Sequence, residues 1–229
     1  MNTLIDLAVK QNIAWCAAVC GSHGIRLNPG EHIWWLSSEA PSLYPDAISS
    51  SIAATPEELI GRIGGKTAAS VKDSYASLHL EAHGFRVLFE AQWIYLPPNE
   101  KHEAVKAPWH AVTDVQRLRA WNAANGTEGI IMPELLADDR VRIFMLENAE
   151  GISGFIVSSD EASVGVSNVF APAVILNEIW HDIEAVAAEV FPDLPLVGYE
   201  SGDALAAALA AGWQAIGPLR VWIRENSQV

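Results

Sequence analysis

Residues 194–224 read LPLVGYESGDALAAALAAGWQAIGPLRVWIR. The stretch parses into a short apolar strand, an Ala/Leu helix stopped at Gly212, and a second strand that begins on Trp213 and ends on Trp222 and Ile223. A shorter relative lies at residues 68–96, AASVKDSYASLHLEAHGFRVLFEAQWIYL, with Gly84-Phe85 in place of Gly212-Trp213 and Trp93-Ile94 in place of Trp222-Ile223. The chain therefore reads as one strand, helix, strand cassette used twice.

The surrounding sequence fits a folded protein with ample core. Of 229 residues, half are apolar, and acidic residues outnumber basic ones by 28 to 14, for a formal charge of −14. That balance argues against a nucleic-acid or anionic-membrane partner. The N-terminus MNTLIDLAVK carries an acid where a signal peptide would carry lysines, and the longest apolar run, ALAAALAA at 204–211, is too short to span a bilayer. A cytoplasmic protein is expected. Cys16 and Cys20, the only cysteines, fall on one face of a helix and read as small reduced core residues.

In chain order, Leu4 to Gly24 has helical spacing, His32 to Ser37 and Ala47 to Ala53 are strand candidates, and Thr55-Pro56-Glu57-Glu58 starts a short helix running to about Ile63. The following Gly64-Gly65-Lys66-Thr67 has the end of a phosphate-binding loop, yet position 60 is Ile60 where such a loop needs glycine, and a helix precedes it where a strand is required. It reads as a connector. Phe85, Val87, Phe89, Ala91, Trp93 and Tyr95 alternate with Arg86, Glu90 and Gln92, which predicts a strand with one buried face. A helix before Gly84 would put His79 and His83 on one side.

Residues 97–112, opened by Pro97-Pro98, form the linker. Thr113-Asp114 then caps a helix through Trp121, whose W-N-A-A-N-G echoes the W-C-A-A-V-C-G at 15–21. Strands at 141–147, 152–158 and 163–170 make an antiparallel meander. A long amphipathic helix follows, with Ile179, Ile183 and Val186 inward and Glu178, Asp182 and Glu189 outward.

From residue 113 the order is helix, three antiparallel strands, long helix, strand, helix ending in Gly-aromatic, strand. This resembles the GNAT superfamily of acyl-CoA-dependent N-acyltransferases, most specifically at A-A-G-W-x-x-I-G-P, residues 210–218. The resemblance implies an α+β fold, a mixed and mostly antiparallel sheet flanked by helices, built from two related repeats. These are a degenerate one at 1–96 and a fuller one at 113–229. It implies an N-acyltransferase that moves an acetyl or other acyl group from acyl-CoA to the amine of a small molecule or peptide. The alternative is a GNAT-like module that has lost catalysis and binds a ligand or a protein.

In that family the coenzyme pairs with the fourth strand where it splays from the fifth. The corresponding cofactor-binding positions here are Ser167, Asn168, Val169, Phe170 and Ala171. The pyrophosphate-binding R/Q-x-x-G-x-G/A motif is replaced by APAVILN at 171–177, which has no glycine and carries Pro172. The tyrosine often found four residues before Gly-aromatic is Ala208 in one cassette and Leu80 in the other. Chemistry at the split would then fall to Glu200 as general base, with Tyr199 or Ser201 as proton donor. Against this, strand-end polar residues before a helix commonly cap it, which would make Ser201 and Asp203 caps and Glu200 a solvated acid. No metal is expected: Cys16, Cys20 and His23 lack a fourth ligand, and His79-Leu80-Glu81-Ala82-His83 misplaces its acid for a zinc protease motif.

Overall fold

A computed structural model describes residues 3–98, 107–172 and 176–225. Eleven strands among these residues form one sheet in the order β1-β2-β3-β4-β11-β5-β10-β9-β8-β7-β6. The chain enters through α1 (Leu4–Ser22), whose Thr3 side chain accepts from the Asp6 amide while Asp6 accepts from the Thr3 amide. This reciprocal cap satisfies two amide donors that a helix start leaves free. Strands β1 (Leu27–Asn28), β2 (Ile33–Leu36) and β3 (Ala47–Ser49) precede α2 (Pro56–Ile63), which Thr55 caps through the Glu58 amide. Then come β4 (Ala69–Asp73), a 3-10 turn (Glu81–His83) and the long β5 (Arg86–Leu96).

The second half begins at β6 (His110–Ala111) and α3 (Val115–Asn125), capped by Asp114. It continues through β7 (Val141–Asn148), β8 (Gly151–Ser159) and β9 (Val164–Phe170). It ends with α4 (Leu176–Val190), β10 (Leu196–Glu200), α5 (Gly202–Ala210) and the long β11 (Gln214–Arg224). Apart from β6 and a 3-10 turn (Pro133–Ala137) in the second half, the order helix, three strands, helix, strand, helix or 3-10 turn, long strand occurs in each half.

The long strands cross between the halves. β11, last in sequence, lies between β4 and β5, antiparallel to both, while β5 lies between β11 and β10. Each half thereby receives a central strand from the other.

Alternation along the strands divides the core between two sheet faces. On one, α4 and α5 pack Ile179, Ile183, Val186, Ala207 and Ala208 against Phe155, Val157, Val164 and Leu196, while α2 packs Leu59 and Ile63 against Val71 and Trp222. On the other, α1 lies across the middle of the sheet, with Ala8, Val9, Ile13 and Cys16 against Trp93, Val197, Leu219 and Val221. Trp15 of α1 and Trp121 of α3, the two tryptophans of the echoed sequence, enter the same cluster. Gln11 ties α1 to β8, its Nε2 donating to the Ser158 carbonyl at 2.7 Å and to Ser158 Oγ at 2.8 Å.

Three expectations change. The helix expected before Gly84 is only the 3-10 turn, so His79 and His83 share no helical face. The Asp73 carboxylate accepts from the Ser77 and Leu78 amides, and Ala76 takes a left-handed φ of 50°, which folds the chain into a tight turn where a helix would start. Asp182 is buried, its Oδ2 accepting from Trp109 Nε1 at 2.9 Å. The first part of β5, Arg86–Glu90, is exposed on both sides. Lys66 of the GGKT stretch binds Asp46 Oδ1 at 2.5 Å and the Ser38 carbonyl at 2.6 Å, a structural clamp. Both cysteines are buried free thiols. Among the described residues, no helix is long and apolar enough to cross a membrane, and no cluster of metal-ligating side chains occurs.

Candidate functional site

β9 and β10 are parallel neighbours, but their ladder holds only at Leu196↔Val164 and Val197↔Gly165. Beyond it the strands part. The cause is visible on the far side of β9, where the pairing with β8 slips between Ser167 and Phe170. The extra residue is accommodated by Asn168 at a left-handed φ of 53°, a conformation asparagine tolerates better than most side chains. Such a bulge bends its strand and turns it from its neighbour. Gly198 marks the last close approach: a Cβ there would stand 2.9 Å from the Val166 carbonyl oxygen. From Ser167 onward the edge of β9 that faces β10 has no ladder partner.

A cavity of about 350 Å³ opens at this split. Its walls combine Asn12 and Cys16 of α1, Tyr44 of the β2–β3 connection, Lys72 of β4 and Phe89 of β5 with Ser167, Asn168, Val169, Tyr199 and Glu200. The structure therefore brings together Ser167, Asn168, Val169, Tyr199 and Glu200. It does not bring in the other three candidates. Phe170 packs edge-on against Trp121, Ala171 joins the core under α4, and Ser201 faces a separate hollow with Gln92 and Arg220. Ser201 stands at the N-cap of α5, yet its side chain makes no capping hydrogen bond. The pyrophosphate-loop positions 173–175 lie outside the described residues.

Glu200 is not a solvated strand-end acid. It is partly buried, and no hydrogen bond or ion pair reaches its carboxylate among the described residues. Burial alone raises its pKa from the ordinary 4.5 to about 7. A carboxylate so placed exchanges protons near neutrality, as a general base must.

Lys72 is the residue that sequence reasoning missed. It is 5% exposed, and its ammonium donates to Asn12 Oδ1 at 2.9 Å and to the Tyr199 hydroxyl at 3.3 Å. The ammonium also lies 4.3 Å from the centre of the Tyr199 ring, which stands edge-on to Trp93. Burial works against the charge; negative charge developing on the Tyr199 oxygen and the Cys16 sulfur as those groups ionise works for it and moves the Lys72 pKa above the usual lysine value. Burial raises the Cys16 thiol and the Tyr44 phenol, so both stay protonated at neutral pH. One sequence signal was there to be read: a lone lysine amid Ala69-Ser70-Val71, in a strand that the two-cassette pattern makes central.

No family model and no curated protein matches the chain. Solved structures do match in fold. A Staphylococcus epidermidis protein of unknown function superposes with a TM-score of 0.64 at 10% identity, over 87% of this chain and 93% of that one. A Novosphingobium aromaticivorans protein assigned to the GNAT family of acetyltransferases superposes with a TM-score of 0.54 at 10% identity, over 93% of this chain and 96% of that one. The chain has the GNAT fold.

Proposed function

We propose that this chain is a divergent N-acyltransferase that moves an acetyl or other acyl group from acyl-CoA to the amine of a small molecule or peptide. The observation that carries the reading is Glu200, an unpartnered, desolvated carboxylate with a pKa of about 7 at the mouth of the split. In this reading the free edge of β9 from Ser167 to Phe170, with Ala171 just past it, offers backbone amides and carbonyls to the pantetheine arm, as an added strand would use them. Glu200 takes a proton from the acceptor amine, directly or through one water. As the nitrogen bonds to the thioester carbon and the C–S bond breaks, Tyr199 gives its hydroxyl proton to the departing sulfur. Lys72, 3.3 Å from that hydroxyl, stabilises the phenolate left behind. The proton on Glu200 then returns to the Tyr199 phenolate through solvent, so that, net, one amine proton ends on the thiol.

The fit to the coenzyme is partial. Among the described residues at the end of β9, Pro172 has no amide hydrogen to offer a phosphate. We read residues 1–96 and 113–229 as tandem repeats joined by 97–112, exchanging their last strands. A cytoplasmic setting suits both the co-substrate and two reduced thiols.

Thermal-shift measurements or calorimetry with acetyl-CoA and free CoA test the proposal, because a ligand of the native state must stabilise it. A rise in Tm with either supports it; none at millimolar concentration overturns it. In an active preparation, Glu200→Gln should lower kcat by about 10²–10⁴-fold. The wild-type rate should rise with pH through about 7 as the base deprotonates. The second reading, a module that binds without turnover, is favoured by Ala208 and Leu80. Both stand where the resemblance would put a tyrosine acid, and both are fully buried.

A further inference from the structure

The cavity holds two opposite charges that the protein does not pair with each other. Lys72 has three ammonium hydrogens, of which Asn12 and Tyr199 accept two. No carboxylate comes within ion-pair distance of it among the described residues. A buried ammonium satisfied only by a neutral amide, a phenol and a ring face is costly, because a cation–π contact returns less than desolvating the charge takes. Glu200 is the mirror case, a carboxylate in the same cavity with no cation.

We infer that the acceptor is a zwitterion bearing both an amine and a carboxylate, an amino acid in the chemical sense, with its carboxylate on Lys72 and its amine toward Glu200. This deepens the acyltransferase reading and rests on it for the fate of the amine. The placement separates this anion from any phosphate. Lys72 sits on β4, with β11, β5 and β10 between it and β9, whereas the coenzyme reading puts the pyrophosphate at the end of β9. One ammonium backed by one amide matches a carboxylate better than a dianion, which needs more donors. Asn12 is itself buried, so the polar pair is preformed when the ligand arrives.

The reaction would form an N-acyl amino acid. The ammonium of the zwitterion first gives one proton to Glu200, which passes it to water; the free amine nitrogen then bonds to the acyl carbon and gives a second proton to Glu200 as the C–S bond of the acyl-CoA breaks, the thiolate takes the proton of Tyr199, and the proton on Glu200 returns to the phenolate through solvent.

The test uses the whole protein with the common L-amino acids and, for each that binds, the corresponding amine lacking the carboxylate. At millimolar concentration at least one amino acid should raise Tm, its decarboxylated partner should not, and Lys72→Met and Lys72→Gln should each weaken binding by at least about tenfold. The inference is overturned if no amino acid stabilises the protein, if the bare amines match them, or if both variants, folded by circular dichroism, bind as wild type does. The outcomes also separate the two readings. Amino-acid binding without acetyl-CoA binding keeps this inference and removes the transferase. Acylation of carboxylate-free amines at equal rates keeps the transferase and removes this inference.

Discussion

Replacing Glu200 by glutamine should stabilise the protein, by an amount that grows as pH rises from about 4.5 to about 7. The sign follows from linkage. In the unfolded chain the carboxyl titrates near 4.5, and in the fold burial moves it to about 7. Below 4.5 it is protonated in both states and costs nothing. Between 4.5 and about 7 the unfolded state ionises while the folded state resists, so stability falls as pH rises. Above 7 the penalty is complete. At about 1.4 kcal/mol per tenfold, a shift from 4.5 to about 7 sets a ceiling near 3 kcal/mol at pH 8 and below about 1 kcal/mol at pH 5. Glutamine carries no charge to desolvate and nearly the same shape. For a chain of this length the gain at pH 8 corresponds to about 6–12 °C in Tm. Urea denaturation of wild type and Glu200→Gln at pH 5 and pH 8 reads it directly. An equal displacement of the two midpoints at both pH values would refute the desolvation argument. A variant less stable at pH 8 would show that the carboxylate has a favourable partner in the folded state.

Three further outcomes follow from the packing. Gly165→Ala would drive a methyl group into the buried Gln11 amide, breaking its bonds to Ser158; chemical denaturation should show a loss of about 1–3 kcal/mol, and an unchanged midpoint would contradict the contact. Ending the chain after Trp213 removes β11 from between β4 and β5, so circular dichroism and gel filtration should show cooperative folding lost in both halves; a folded residual half would show that the halves are independent. Cys16 and Cys20 should resist an aromatic disulfide reagent in the native protein and both react after denaturation, because they are buried and burial first, then the neighbouring Cys16 and Asp46, push Cys20 up to about 12.

Much of the fold was legible because local signals agreed with tertiary ones. Thr55-Pro56 and Asp114 cap helices as their sequence positions foretell, and the three strands of the meander at 141–170 fall within a residue of the bounds read from the sequence. The failures arise where an interaction outside the local periodicity decides, either a partner far away in sequence or a nearby side chain that outcompetes the helix for backbone amides. Asp182 reads as solvent-facing on its own helix, but Trp109, 73 positions earlier, donates to it. The stretch after β4 reads as helical by spacing, but Asp73 captures the next amides first. The site followed the same rule. Tyr199 and Glu200 were legible as polar residues at the end of a strand before a helix, a purely local mark. Lys72 and Asn12 were not, because only the insertion of β5 and β11 between β4 and β10 brings the first half's β4 to the second half's split.

That insertion also bears on what the simpler first half contributes. Its second cassette helix is reduced to one 3-10 turn and its strands β1 and β3 are short, so on its own it makes a poor copy of the second half. Its edges toward the centre are another matter. Through β5 it supplies the partner along which β10 is held from Leu196 to Glu200, which fixes Glu200 at the split. Through α1 it caps the sheet face above Tyr199, and through β4 it delivers the one buried ammonium in the cavity wall. A half-chain that only braced its neighbour would have no physical reason to bury a lysine against Tyr199, since a hydrophobic residue of similar size would stabilise the sheet more. The charge at position 72 therefore points to a task at the cavity, and binding the carboxylate of an incoming amine is the task its geometry serves.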